Sequence, residues 1–180
     1  MQEGVNLKNY IRTVNDFPIQ GITFRDITSL IENPFAFKTT CDELTKISKD
    51  FKANIVVGIE SRGFLFASSI VNSLSIPYIL ARKPGKLPND TFKINFDIEY
   101  GSSSLEIQKN SKISSENNLV IIDDLIATGG TAIACANLLN SDFKVPKKNI
   151  MILSVIDLPE LGGSKKAKEI GYKVYSLVSY

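Results

Sequence analysis

Apolar residues in this chain gather in two kinds of stretch. Unbroken runs at 119–122 (Leu119-Val120-Ile121-Ile122) and 54–59 (Asn54-Ile55-Val56-Val57-Gly58-Ile59) show no alternation, which predicts strands buried on both faces of a parallel sheet. Segments 77–81, 149–156 and 172–178 predict three further strands. Helical spacing predicts a short helix over 5–14 and a longer one that starts at an Asn33 cap, with Pro34 in its first position, and ends near Asp50. A helix over 64–74, with Ser61 placed to cap it, follows the 54–59 strand, and Ile133, Ala136, Leu138 and Leu139 open another. A last helix begins near Gly163, and 17–26 reads as a loop punctuated by Pro18 and Gly21. Within 84–101 the apolar positions alternate (Phe92, Ile94, Phe96, Ile98, Tyr100), and Leu105-Glu106-Ile107 alternates again. That pattern predicts a half-exposed antiparallel ribbon set apart from the buried strands. The fold expected is therefore α/β: one domain over 1–180, a mainly parallel, doubly wound sheet flanked by helices, and a small antiparallel ribbon at about 84–107.

The most informative chemistry follows the 119–122 run. Asp123 and Asp124 sit where that strand is expected to end, and Ala127-Thr128-Gly129-Gly130-Thr131 leads straight into a helix. A Gly-rich turn from a buried strand into a helix presents backbone N–H groups and the positive end of the helix dipole, which suits a phosphate. Thr128 and Thr131 add hydroxyl donors. Paired aspartates do not favour that phosphate, so they serve something beside it: sugar hydroxyls, a metal ion or developing positive charge. Each half alone is ordinary turn chemistry; in this order, after a buried strand, they point to a phosphorylated sugar. The chain has no G-x-x-x-x-G-K-[ST] and no G-x-G-x-x-G, which takes support from nucleotide hydrolysis and dinucleotide binding.

Composition narrows the chemistry further. The 180 residues include no histidine, which removes His-based acid–base catalysis, the Ser-His-Asp triad and His-containing zinc sites. Any general base is then a carboxylate, Lys, Tyr or Cys, and any metal is hard and oxygen-bound. A formal charge of +2 and scattered basic residues give no nucleic-acid footprint. Mean hydropathy is +0.03, and no apolar run approaches membrane-spanning length. The segment after Met1 is polar and unlike a signal peptide, so a cytoplasmic protein is expected, with Cys41 and Cys135 as free thiols.

A second strand-to-helix turn, Gly58-Ile59-Glu60-Ser61-Arg62-Gly63-Phe64, pairs helix-start amides with the Arg62 cation and so forms a second candidate anion cradle. Taken alone it is as easily a capped bend. A basic run, Arg82-Lys83-Pro84-Gly85-Lys86, opens a polar loop that suits a diphosphate, although most charge runs are simply solvated.

The Asp123 motif resembles the 5-phosphoribosyl-1-pyrophosphate motif of type I phosphoribosyltransferases. Phe24-Arg25-Asp26-Ile27-Thr28-Ser29-Leu30, Glu60-Ser61-Arg62-Gly63-Phe64-Leu65-Phe66, Arg82-Lys83-Pro84-Gly85-Lys86-Leu87-Pro88 and Glu99-Tyr100-Gly101 with Leu105-Glu106-Ile107 extend the resemblance, in order, to the adenine phosphoribosyltransferase family. It implies joining of adenine to 5-phosphoribosyl-1-pyrophosphate, giving AMP and pyrophosphate with Mg2+. By the same resemblance, Asp123 and Asp124 hold the ribose hydroxyls, Ala127, Thr128, Gly129, Gly130 and Thr131 wrap the 5'-phosphate, and Glu60, Ser61, Arg62 and Gly63 form the pyrophosphate loop. The family often has a non-proline cis peptide in that loop, here Glu60–Ser61. Arg82, with Lys83 and Lys86, serves pyrophosphate, Arg82 reaching the neighbouring subunit of a homodimer. Phe24, the Arg25 main chain, Ala127 and Leu158 line the adenine slot. The ribbon becomes a mobile hood carrying Glu99 and Tyr100, and the metal is held mainly through substrate, with Asp123 as the one candidate protein ligand. The catalytic set is then Glu99, Asp123, Asp124 and Arg62, with Glu99 the best candidate base, acting at N7 of adenine. Gln20, where a second Pro is common, and the hood sequence 91–97 depart from the family pattern; both touch loop stiffness and closure rather than chemistry.

Two rivals follow from the same residues. A 6-oxopurine or pyrimidine phosphoribosyltransferase is opposed by Phe24-Arg25-Asp26 and Glu99-Tyr100, and adenine-versus-hypoxanthine turnover separates the two. A non-enzymatic regulator that senses phosphoribosyl pyrophosphate and binds nucleic acid needs an added module or a basic face. The few residues before the first motif and the +2 charge speak against both.

Overall fold

Where the apolar spacing predicts a helix over 5–14, the chain makes only one 3-10 turn, Leu7–Tyr10, and then extends into strand β1 (Arg12–Asn15). The computed structural model, which describes residues 5–98 and 101–180, pairs β1 antiparallel with β2 (Thr23–Asp26), which corrects the loop expected over 17–26: only the part before Thr23 is the hairpin connection, and 23–26 is strand. The helical signal arose because Leu7 and Ile11, four apart, are both buried. Helix α1 (Thr28–Glu32), too short for a periodic signature, precedes α2 (Pro34–Asp50). There Asn33 caps as expected, its Oδ1 accepting from the Ala36 N–H at 3.0 Å, and Pro34 occupies the first turn.

Strand β3 (Ile55–Ile59), helix α3 (Gly63–Leu74) and strand β4 (Tyr78–Ala81) form the first parallel crossover. The ribbon β5 (Thr91–Ile98) and β6 (Gly101–Gln108) is a separate antiparallel pair. Its Leu105 and Ile107 are buried, while Lys93, Asn95 and Asp97 are exposed, the two-faced arrangement that the alternation predicts. Reciprocal hydrogen bonds between Arg82 and Glu106 backbones, at 3.0 and 2.7 Å, tie the ribbon to the end of β4. Strand β7 (Leu119–Ile126), helix α4 (Gly130–Ser141), strand β8 (Ile150–Asp157), helix α5 (Gly163–Ile170) and strand β9 (Lys173–Ser179) complete the chain. The main sheet has five parallel strands in the order β4-β3-β7-β8-β9.

Each sheet face carries its own core. Ile55, Val57, Leu119, Ile121 and Ile152 pack with α4, α5 and the ribbon, while Val56, Val120, Ile122 and Leu153 pack with α2, α3 and the N-terminal segment. Cys41 and Cys135 are buried free thiols in α2 and α4.

One correction bears on the site. Strand β7 does not stop at Ile122: Asp123 stands opposite Ser154, and Leu125 and Ile126 still pair with Ile156 and Asp157. Two carboxylates look like a strand terminator, yet here the backbone stays in the ladder while the side chains meet the cleft at the carboxyl edge of the sheet.

Candidate active site

The ligand end of the sheet is a cleft of ≈ 480 Å³, walled by the turn after β3, the last residues of β7 and the turn into α4. Doubly wound sheets bind ligands at this edge because consecutive strand-to-helix turns diverge there. Glu60, Ser61, Arg62, Lys83, Asp123, Asp124 and every residue from Ala127 to Thr131 line it. Segments far apart in sequence, each singled out above, thus share one cavity.

The turn after β3 contains a cis Glu60–Ser61 peptide, at the bond that the resemblance implies. Ser61 is not the expected side-chain cap. Helix α3 starts at Gly63 behind a helical Arg62 that makes no side-chain cap bond, and Ser61 contributes only its carbonyl, accepting from Phe64 N–H at 3.2 Å. Gly63 lies so close to β7 that a Cβ there would strike the Ile122 carbonyl. That approach seats the turn beside the aspartates.

Arg62 Nε donates to Asp124 Oδ2 at 2.7 Å, with the Asp124 side chain 8% exposed and that of Arg62 47%. The same guanidinium stands 5.9 Å from the centroid of the Phe24 ring. Asp123 Oδ1 accepts the Asp124 backbone N–H at 2.9 Å. Enclosure, with the Asp124 charge next to it, pushes the Asp123 carboxyl well above the ordinary carboxylate range. Asp123 is the carboxylate of the pair that has no ion-pair partner among the described residues.

Past Ile126 the chain turns through Gly129 at φ +78°, a conformation that favours glycine, and α4 begins at Gly130 with no side-chain cap. The first amides of α4 therefore face the cleft with their dipole unopposed. Gly163, at the start of α5, underlies this turn: its N–H donates to Ala127 O at 3.1 Å, and a Cβ on it would meet Ala127 O and, at 2.5 Å, the Gly129 nitrogen. Gly163 is not among the site residues that the sequence points to; its only signal there is the Gly162-Gly163 pair opening a helix. The ribbon reaches the turn as well, since a Cβ on Gly130 would lie 2.9 Å from the Asp97 carbonyl.

The basic run divides. Lys83 lines the cleft, while Arg82 turns onto Glu60 of its own chain, with Nη2 and Nε at 3.0 and 3.2 Å from the carboxylate oxygens. The hydrogen bond from Arg82, stronger than the opposing effect of burial, holds Glu60 below its ordinary pKa. Lys86 offers its carbonyl to Arg82 Nη1 at 3.0 Å and does not line the cleft.

Of the expected adenine residues, Ala127 lines the cleft, whereas Phe24, Arg25 and Leu158 are not on its lining. Phe24 packs edge-on against Phe17 at 5.1 Å. Arg25 donates from Nη1 to Thr13 Oγ1 at 2.6 Å and lies over the Tyr180 ring. Leu158 N–H donates to Ile126 O at 2.9 Å, which puts Leu158 next to Ala127. Glu99 and Tyr100 lie outside the described residues.

Comparison with known proteins agrees with this geometry. The family model for the phosphoribosyl transferase domain matches residues 31–168. An adenine phosphoribosyltransferase of Pelagibacter ubique is 43% identical over 98% of this chain and 98% of its own. The crystal structure of adenine phosphoribosyltransferase from Thermoanaerobacter pseudethanolicus superposes with a TM-score of 0.87 at 36% identity, covering 97% of this chain and 98% of that one. The Giardia lamblia APRTase complexed with 9-deazaadenine superposes at 0.90 with 34% identity, over 97% and 96% of the two chains. With two strand-to-helix turns and a carboxylate pair lining one cleft, and relatives matching along nearly their whole length, the chain belongs to the phosphoribosyl transferase domain family, within its adenine phosphoribosyltransferase branch.

Proposed function

We propose that this protein transfers the phosphoribosyl group of 5-phosphoribosyl-1-pyrophosphate to adenine, yielding AMP and pyrophosphate in purine salvage. One observation carries the reading: the turn from Ala127 to Thr131, the turn from Glu60 to Arg62 and the pair Asp123 and Asp124 all line a single cleft. A donor with a phosphate at one end and a diphosphate at the other needs two such cradles. Amides of the α4 turn and the Thr128 and Thr131 hydroxyls take the 5'-phosphate. Asp123 and Asp124 take the ribose hydroxyls, and Arg62 and Lys83 take the pyrophosphate. Phe24 and Leu158 flank adenine, with the Arg25 main chain at its edge.

Cleavage of the C1'–pyrophosphate bond leaves an oxocarbenium-like centre and a highly charged leaving group, so catalysis is chiefly positioning and electrostatics. The donor set fits a hard divalent ion, because the cleft carries carboxylate oxygens and the chain has no histidine. No three His, Cys, Asp or Glu side chains converge among the described residues, so Mg2+ would be held through substrate oxygens with Asp123 joining them. When bound, it supplies charge neutralisation on the pyrophosphate. Glu99 removes the adenine proton as N9 bonds to C1', and hood closure excludes water. The reading includes a homodimer, in which Arg82 leaves Glu60 for the neighbouring subunit's pyrophosphate, and a cytoplasmic location. No helix among the described residues is long and apolar enough to cross a membrane.

The test is AMP formation with a panel of bases. Adenine should turn over and hypoxanthine, guanine and the pyrimidines should not; preference for a 6-oxopurine would overturn the substrate assignment.

A further inference from the structure

The β1–β2 hairpin that carries Phe24 and Arg25 pairs with no strand of the main sheet, and isolated two-stranded hairpins are marginal on their own. Something must fix it against the cleft. One contact that does this comes from the end of β9: the Arg25 guanidinium lies over the ring of Tyr180, 3.9 Å from its centroid, and Lys8 Nζ stands 4.9 Å from the same centroid. Tyr180 follows β9, and its N–H donates to the Asp157 carbonyl at 3.2 Å. The next residue after Asp157 is Leu158, whose own N–H is held by Ile126. A chain of contacts thus runs from Leu158 through Asp157, the Tyr180 backbone and the Tyr180 ring to Arg25, and so to Phe24.

We infer that Tyr180 is a positioning residue for the base slot, a strut that sets the separation of the Phe24–Arg25 strand from Leu158 through its stacking on Arg25. The slot itself is the one assigned under the proposed function, and the inference rests on that reading for its ligand. Tyr180 reaches the slot through the Arg25 guanidinium that lies over its ring. Its ring, not its hydroxyl, is the working part: the Tyr180 Oη is buried without a hydrogen-bond partner among the described residues, whereas the ring holds two cations. Cation–π attraction depends on the ring quadrupole and strengthens with partial desolvation, and Tyr180 is half-buried.

The experiment compares Tyr180→Ala, Tyr180→Leu and Tyr180→Phe in full-length protein, reading KM for adenine and for the phosphoribosyl donor, kcat, and amide exchange of the β2 strand without ligand. Tyr180→Ala should raise the adenine KM by about five- to twenty-fold, the scale of a partly desolvated cation–π contact, with the donor KM unchanged. Tyr180→Leu keeps apolar bulk without the quadrupole and should behave like Ala, which preserves the test if the alanine variant folds poorly. Tyr180→Phe should restore the wild-type KM. Faster exchange at Phe24 and Arg25 in the Ala and Leu variants reports the strut independently of any substrate. Unchanged exchange in both would overturn the strut whatever the enzyme acts on. Faster exchange with an unchanged adenine KM would overturn its coupling to the slot, while failure of the wild type to use adenine would count against the substrate reading and leave the exchange result to judge the strut.

Discussion

Arg62 Nε and Asp124 Oδ2 stand 2.7 Å apart, so the guanidinium proposed for pyrophosphate and a carboxylate proposed for ribose hold one another when no ligand is present. The pair links the turn after β3 to the end of β7, and the same guanidinium faces the Phe24 ring. One side chain therefore touches all three parts of the site: pyrophosphate loop, ribose carboxylates and base slot.

Replacing Arg62 should consequently affect both rate and stability. Arg62→Gln keeps a polar group but leaves Asp124 enclosed without its cation. Loss of one preorganised charge-stabilising group typically lowers kcat by about 10²–10³-fold, and that range is expected here. Stability should fall by about 1 kcal/mol, the lower end for stranding a buried acceptor, because the Arg62 half of the pair is itself partly solvated. Steady-state kinetics and urea denaturation read the two effects. A variant with normal kcat would remove Arg62 from the catalytic set.

Asp123 carries the opposite stability sign. Its pKa is raised in the folded protein by enclosure and by the neighbouring Asp124 charge. The folded state then keeps the Asp123 proton over a pH range in which the unfolded chain has lost it, so stability is fully present below the unfolded pKa and declines as pH rises through the folded one. Asp123→Asn removes that decline, since the amide oxygen can still accept the Asp124 N–H. In metal-free, ligand-free protein the variant should melt above wild type near neutral pH, with the gap closing as pH falls into the ordinary carboxylate range. Turnover should drop sharply at the same time, the usual exchange of stability for function at a charged site. Calorimetric Tm across pH checks the sign, and a wild type that is the more stable at pH 7 would contradict it.

Much of this fold was legible from the chain, and for a physical reason. Strands β3 and β7 are largely buried, so their apolar runs are short and unbroken and end in turn residues, which favours strand over helix, and the ribbon's alternation survives because one of its faces is wet. The Asn33-Pro34 start of α2 is a local matter of capping and was readable for that reason. The β1–β2 hairpin was not, because Leu7 and Ile11 mimic a helical repeat and Pro18 and Gly21 mask a strand of only four residues. In the site, Asp123, Asp124 and the 127–131 turn announce themselves by abrupt polarity after a buried run. Gly163 and Tyr180 do not, since each works by contact with a segment distant in the chain, Ala127 and Arg25 respectively.

Gly163 gives a direct test of the phosphate turn. A methyl group there has no room, meeting Ala127 O, the Gly129 nitrogen and, at 2.6 Å, the Thr128 carbonyl carbon. Gly163→Ala must therefore displace the turn that is proposed to wrap the 5'-phosphate. Calorimetric affinity for the phosphoribosyl donor should weaken by about tenfold or more, equivalent to one misplaced hydrogen bond to a charged group, while affinity for adenine changes little. Gly129→Val should do the same from the other side, because a β-branched residue does not tolerate φ +78°. Unchanged donor affinity in both variants would move the phosphate elsewhere.

The last prediction concerns Glu99, which lies outside the described residues and rests on chemistry alone. Adenine must lose a proton as N9 bonds to C1', and a chain with no histidine leaves few groups able to take it. Among the carboxylates, Asp124 is committed to Arg62 and Glu60 to Arg82. Asp123, held above its ordinary pKa, sits on the proposed ribose side of the cleft. Glu99, which in sequence falls between β5 and β6, is the carboxylate that hood closure would bring to the base. Glu99→Gln keeps the length and hydrogen-bonding reach of the side chain and deletes its basicity, so adenine and donor affinities should survive. General acid–base groups contribute about 10²–10⁴-fold, and single-turnover rates should fall by that order. If Glu99 must be ionised to act, the acidic limb of the kcat profile should flatten in the variant, whereas a purely structural role would lower kcat at every pH alike. Rapid-quench measurement of AMP formation across pH distinguishes these outcomes, and near-wild-type single turnovers in Glu99→Gln would assign proton removal to another group.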